Sequence, residues 1–179
     1  AEARRRRTAA APETSVRQRL YRLTELTPPH PAPPGRPRIA VAKDREQLMR
    51  WHGEFGAAIG GHGGMIGSAE WADARISYGG VTLWETPDGT PVSMAGVTAK
   101  VAGQIRVAPV YTPADLRGRG YAGAVTTEVS RAARTAGATE VLLFTDLANP
   151  TSNALYQRIG YRPAADFTAY DFGPGTGQR

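Results

Sequence analysis

The chain has 179 residues, 41% hydrophobic and 21% charged, a length and balance that fit one folded domain with a core of its own. It contains no cysteine, which removes disulfides, thiolate metal ligands and a cysteine nucleophile. The formal net charge is +6, yet residues 1–38 hold nine arginines against three glutamates, so the basicity belongs to the leader and the body beyond it is neutral.

Residues 1–14, with the run Arg4 to Arg7, offer little to bury and are expected to be disordered. Val16, Leu20, Leu23 and Leu26 fall at a spacing that suits either a helix or a short strand. Thr27–Pro37 then concentrates six of the fourteen prolines and reads as an extended linker. On this reading 1–37 is a leader and linker, 38–173 the folded domain and 174–179 a flexible tail. The arginine run is either a solvated tail or a patch for an anionic partner, and the neutral body argues against nucleic acid. No apolar run reaches the ~18 residues of a membrane helix, and the basic start lacks an apolar signal core, so a cytoplasmic protein is expected. The alanine at position 1 suits a processed chain or a fragment, and twenty arginines among 22 basic residues suggest a GC-rich bacterial genome.

The body opens on a short alternating strand at 38–42. Asp44 with Gln47 forms a capping-box pattern, and Leu48, Trp51, Phe55 and Ile59 repeat at helical spacing, which places His52 on the surface of that helix. The glycine-rich run 60–64, containing His62, interrupts it, and a weaker helix covers 67–77. Strands follow at 80–86 and 91–101 about a Pro87-Asp88-Gly89-Thr90 turn, and another at 104–112. A helix from about 120 to 136 stops at Gly137, a buried strand runs over 140–145, a short helix spans 150–159 to Gly160, and the last strand covers 167–172. The order is βααβββαβαβ, a mixed-sheet α/β chain. Three scattered histidines show no metal-ligand spacing.

The chemistry concentrates where the strand at 104–112 enters the helix at 120. Arg117-Gly118-Arg119-Gly120-Tyr121-Ala122 sets glycines on a strand-to-helix turn, which lets the backbone approach a ligand while first-turn amides remain unsatisfied. Together with the helix dipole, this is a cradle suited to a pyrophosphate. No Gly-Lys-Ser/Thr follows, so it is no Walker loop, and the antiparallel elements ahead of it do not fit the dinucleotide fingerprint.

This segment resembles the R/Q-x-x-G-x-G/A signature of the GNAT superfamily of acyl-CoA-dependent N-acyltransferases. About thirty residues later, Asn149-Pro-Thr-Ser-Asn-Ala-Leu-Tyr156-Gln-Arg-Ile-Gly160-Tyr161 is similar to that family's second element. The resemblance covers about 38–173. It implies a sheet whose central parallel strands splay apart, with acetyl-CoA as co-substrate, its pantetheine arm lying as a pseudo-strand beside Val107, Val110 and Tyr111. It further implies diphosphate binding by Arg117, Gly118, Arg119, Gly120, Tyr121 and Ala122, and contacts to the arm from Asn149, Ser152, Asn153 and Tyr156. Tyr156 would protonate the leaving sulfur, and Glu85 or Asp146 would act as general base. Pro113 stands four residues before Arg117, so the turn is one residue longer than is usual in the family. The acceptor would be a primary amine, the enzyme a monomer or homodimer without metal. A non-catalytic acyl-CoA-binding module, or half of a tandem acetyltransferase, is the alternative.

Overall fold

The computed structural model describes residues 14–60 and 66–171, which build a seven-stranded mixed sheet flanked by four α-helices. The leader to residue 13, the His62 loop and the tail from 172 lie outside the described residues. The elements in chain order are β1 (Thr14–Leu23), β2 (Arg36–Ile39), α1 (Arg45–Ala58), α2 (Ser68–Ser77), β3 (Val81–Glu85), β4 (Pro91–Val97), β5 (Gln104–Tyr111), α3 (Tyr121–Thr135), β6 (Glu140–Asp146), α4 (Pro150–Arg158) and β7 (Tyr161–Asp171). In space the strands run β2-β3-β4-β5-β6-β1-β7. From residue 36 onward the order is the expected βααβββαβαβ.

Three expectations need correcting. Residues 14–23 are a strand seated between β6 and β7 and antiparallel to both, well inside the sheet that the sequence reading begins only at 38. Its arginines obscure this, since Arg17, Arg19 and Arg22 read as a solvated leader. In the fold, Arg19 forks onto Asp166 of β7 (2.7 and 2.9 Å) and Arg22 meets Glu140 of β6 (3.1 Å). A bulge on β7 opposite Leu20/Tyr21 sets Ala164 out of register, and past it Tyr21 and Leu23 are buried. Secondly, β7 begins at Tyr161 rather than 167. Pro163 within it is tolerated because β7 is the edge strand and Pro163 sits beside that bulge. Thirdly, His52 is buried rather than on a surface. Its ring stacks on Trp71 (4.5 Å) and Nδ1 lies 2.9 Å from the Ser68 hydroxyl, with burial first and then Arg75 depressing its pKa.

Two cores lie on opposite faces of the sheet. Leu48, Trp51, Trp71 and Ala72 of α1 and α2 close on Val81, Leu83 and Met94. On the other face α3 and α4 bury Val125, Val129 and Ile159 against Tyr21, Ile105, Val141, Leu143 and Tyr161. This explains why β3 is buried along its whole length, with apolar side chains pointing both ways. Among the described residues the half of the sheet made of β6, β1 and β7 is covered by α3 and α4 on one face, and it leaves Phe144 and Phe167 exposed.

The proline-rich segment between β1 and β2 is a strap tied at both ends. Thr24 and Thr27 amides donate to the carbonyls of Gly160 and Ile159 (3.1 and 3.0 Å), while the Trp84 indole donates to Pro34 O (3.2 Å). Gly160 has φ +106°, and a Cβ there would lie 1.7 Å from Glu25 O, so only glycine fits this crossing. Arg134, in the last turn of α3, donates to Thr24 O, and Pro33 approaches Gly120 at the first turn. The strap therefore follows α3 from end to end.

Candidate active site

The two central parallel strands pair over only three residues. Gln104, Ile105 and Arg106 match Glu140, Val141 and Leu142, and beyond that point β5 and β6 part. Each then spends one edge elsewhere, β5 on β4 (Met94↔Tyr111, Ala95↔Val110) and β6 on β1 (Leu143↔Tyr21 through Asp146↔Gln18). The remaining edges face a cleft of about 540 Å³. Such a gap exposes backbone groups of both strands to an extended ligand that can take their hydrogen bonds.

One wall of the cleft is Val107, Pro109 and Val110 of β5, and another is Leu143 to Asp146 of β6. Helix α1 closes a side with Phe55, Ala58 and Ile59, and β1 contributes Val16 and Gln18. The floor holds Asn149, Ser152 and Tyr156 at α4. Asn149 caps that helix, its side chain accepting from the Ser152 amide at 3.0 Å, with Pro150 at the first helical position.

Tyr156 reaches the cleft from the buried face of α4, edge-on to Tyr161 at 6.2 Å. Burial, and then the neighbouring Tyr161, raise its phenol pKa well above the usual tyrosine range, so it stays protonated at any physiological pH. No hydrogen bond is made by its hydroxyl among the described residues.

Beyond the open end of β5, Pro113 starts a single 3₁₀ turn over Ala114–Leu116 that absorbs the additional residue of the longer turn. Gly118 and Gly120 take φ of +75° and +84°, and Gly120 caps α3. Among the described residues the amides of 118–123 find no backbone acceptor, whereas Ala124 is the first to donate within the helix, to Gly120 O at 3.1 Å. Arg117 and Arg119 turn back to brace this loop, donating to Thr112 O (3.0 Å) and Asp115 O (3.1 Å). Tyr121 is buried in the core and Ala122 is half-buried. A row of unpaired amides at the positive end of a fifteen-residue helix suits an anion.

The structure separates the other expected residues. Glu85 does not line the cleft. It is buried at the end of β3, where Arg38 of the neighbouring strand β2 donates to it at 2.6 Å and forks onto Asp44 at 2.8 and 2.9 Å. Asn153 shares a helix with Tyr156, but its amide is already engaged. Its oxygen accepts from the Tyr21 hydroxyl (2.8 Å) and its nitrogen donates to Asp146 O and Asn149 O (2.8 and 2.7 Å), locking β1, β6 and α4 together. Tyr111 donates to Glu54 of α1 at 2.7 Å and tilts against Trp51, so it fastens α1 to β5 rather than lining the cleft. Asp146 is in the cleft and exposed, with one carboxylate oxygen accepting from the Ala148 amide at 2.8 Å.

The contributions of α1 and β1 to the cleft are not anticipated by the motifs. The helical phase of Phe55 and Ile59 is visible in the sequence, but only the sheet order reveals that this stripe faces the divergence. Among the described residues no group of His, Asp or Glu side chains is gathered as metal ligands, and no helix is long and apolar enough to cross a membrane.

Comparison with known proteins agrees with this geometry. Residues 90–170, which span the divergence, the glycine loop and α4, match the FR47-like protein family. The fold is that of GNAT acetyltransferases. A GNAT-family acetyltransferase from Colwellia psychrerythraea superposes with TM-score 0.65 at 16% identity, over 90% of this chain and 58% of its own. A GCN5-related N-acetyltransferase from Sphaerobacter thermophilus gives 0.65 at 23% identity, over 88% of this chain and 52% of its own. One from Kribbella flavida gives 0.63 at 22%, over 93% and 61%. The chain thus spans less than two thirds of the length of these solved proteins. No curated protein matches it in sequence.

Proposed function

We propose that the chain is an acyl-CoA-dependent N-acyltransferase that moves an acetyl group from acetyl-CoA to a primary amine. The observation that carries this reading is the alignment of three features along one path. These are the unpaired amides at 118–123, the diverging edges of β5 and β6, and the protonated Tyr156 within the cleft. Their order matches the order of the co-substrate's parts, with diphosphate, amide-bearing arm and thioester in sequence. When bound, acetyl-CoA supplies an electrophilic thioester carbon.

The chain's residues would then act as follows. Gly118 to Gly123 hold the diphosphate through backbone amides, with the α3 dipole adding to their attraction. The free edges of 107–110 and 143–146 align the arm by main-chain hydrogen bonds. Asp146 takes a proton from the acceptor's ammonium, freeing the lone pair that attacks the carbonyl carbon. Tyr156 delivers its proton to the departing sulfur and regains one from the nitrogen of the new amide.

The test follows free thiol when the protein meets acetyl-CoA and a panel of primary amines. Turnover is expected. Binding of CoA without thiol release would favour the alternative of an acyl-CoA-binding module. Asp146→Asn is expected to slow turnover about a hundredfold near neutral pH, with recovery at alkaline pH where the amine loses its own proton. A loss that persists at high pH would remove Asp146 from the base role.

Glu85→Gln separates structure from chemistry. It weakens the Arg38 contact in a buried setting, so stability should fall by roughly 1.5–3 kcal/mol, while kcat at a temperature where the variant stays folded is retained. Thermal unfolding and initial rates on the same sample check both halves.

A further inference from the structure

The acceptor side of the cleft carries information that the acyl-transfer reading leaves unused. Among the described residues Asp146 supplies the one charge in the lining, with Gln18, Thr145, Asn149 and Ser152 as polar neighbours and apolar side chains over most of the rest. Phe144 follows Leu143 on β6 and points to the face that no helix covers among the described residues. It stands edge-on to Phe167 of β7, ring centroids 5.7 Å apart, and the two rings are 38% and 48% exposed. Phe144 also lines the cleft, so this aromatic pair is continuous with it, and Phe55 faces it from α1. At the far side the Arg106 guanidinium lies 5.8 Å from the Phe144 ring centroid.

Exposed strand positions are usually polar, and β1 follows that rule with Arg17 and Arg22. Two phenylalanines packed on each other in water, at the lip of a cleft, do not contribute to either core. Their position is explained by a ligand whose apolar part lies on them while its charged end reaches the carboxylate of Asp146.

We propose that the acceptor is an amine borne on an apolar, preferably aromatic, body, with the Phe144–Phe167 pair receiving the body and Asp146 receiving the ammonium. This rests on the acyltransferase reading for its chemistry but not for its binding geometry. Charge complementarity and continuity with the cleft favour a small amine over a docked protein on this face.

The test compares 2-phenylethylamine with ethylamine, which share the reacting group and differ by the ring. The ratio of their kcat/KM values with acetyl-CoA should favour the aromatic amine at least tenfold, and Phe144→Ala should reduce that ratio roughly tenfold, chiefly through KM. Phe167→Ala should shift it in the same direction, and unchanged melting of both variants certifies the fold. Calorimetric titration of 2-phenylethylamine into CoA-loaded protein is read in parallel. If nothing turns over but this binding is present and lost in Phe144→Ala, the aromatic surface stands and the enzyme reading falls. Equal kcat/KM for the two amines, or a ratio untouched by either variant, overturns the proposal. So does a dimer that Phe144→Ala dissociates while amine preference stays constant, which would make the face a protein contact.

Discussion

Replacing Tyr156 by phenylalanine should cut turnover by roughly 10²–10⁴ while leaving CoA affinity within about twofold. The expectation comes from where the phenol sits. Its ring is buried against Tyr161, so the substitution keeps the shape of the cleft floor. The lost hydroxyl has no hydrogen-bond partner among the described residues, so its removal strands no buried group and stability should hardly change. Burial disfavours the phenolate, which keeps the proton available for a sulfur that becomes strongly basic only as the thioester bond breaks. Initial rates at saturating acetyl-CoA, together with equilibrium binding of CoA, separate the two effects. An unchanged rate would take Tyr156 out of the proton path and leave it a structural ring.

The second large effect lies far from the chemistry in sequence. A chain beginning at residue 24 loses β1, and with it the neighbour that both β6 and β7 depend on. It should show no cooperative unfolding transition. Tyr21→Ala is the milder version: the side chain is fully buried and its hydroxyl holds Asn153, so a loss of roughly 3–5 kcal/mol is expected. Denaturant melts followed by tryptophan fluorescence and circular dichroism check both. A shortened chain that melts like the full one would mean that β1 only decorates a sheet able to stand without it.

How much of this is legible in the amino-acid sequence depends on how local the determining physics is. The glycines at 118 and 120 and the helix start after them depend on a few neighbouring residues, and the loop has the geometry they imply. Asn149 with Pro150 likewise specifies a helix start from within four residues. The Asp88-Gly89 turn between β3 and β4 belongs to the same kind. Glu85 and Asn153 fail for the opposite reason. Each is polar and close to a motif, but each is captured by a side chain distant in sequence, Arg38 in one case and Tyr21 in the other. Nothing within a short window distinguishes a carboxylate awaiting a substrate from one already held by an arginine on the next strand. β1 is the strongest example, because its arginines look solvent-seeking until Asp166 and Glu140 are brought beside them by strands more than a hundred residues away.

The position of β1 also bears on how the protein is made. Its two partners are translated more than a hundred residues after it, so through that interval this arginine-studded segment has both edges unpaired while β3, β4 and β5 can already meet through short connections. Closing the sheet needs contacts of very long sequence separation, which slows assembly. A completed chain whose β1 has not yet docked offers a vacant slot between β6 and β7, open to the corresponding strand of another molecule. Strand exchange between copies is therefore the misassembly to look for when expression is fast, since an exchanged β1 would bring the same arginines to Asp166 and Glu140.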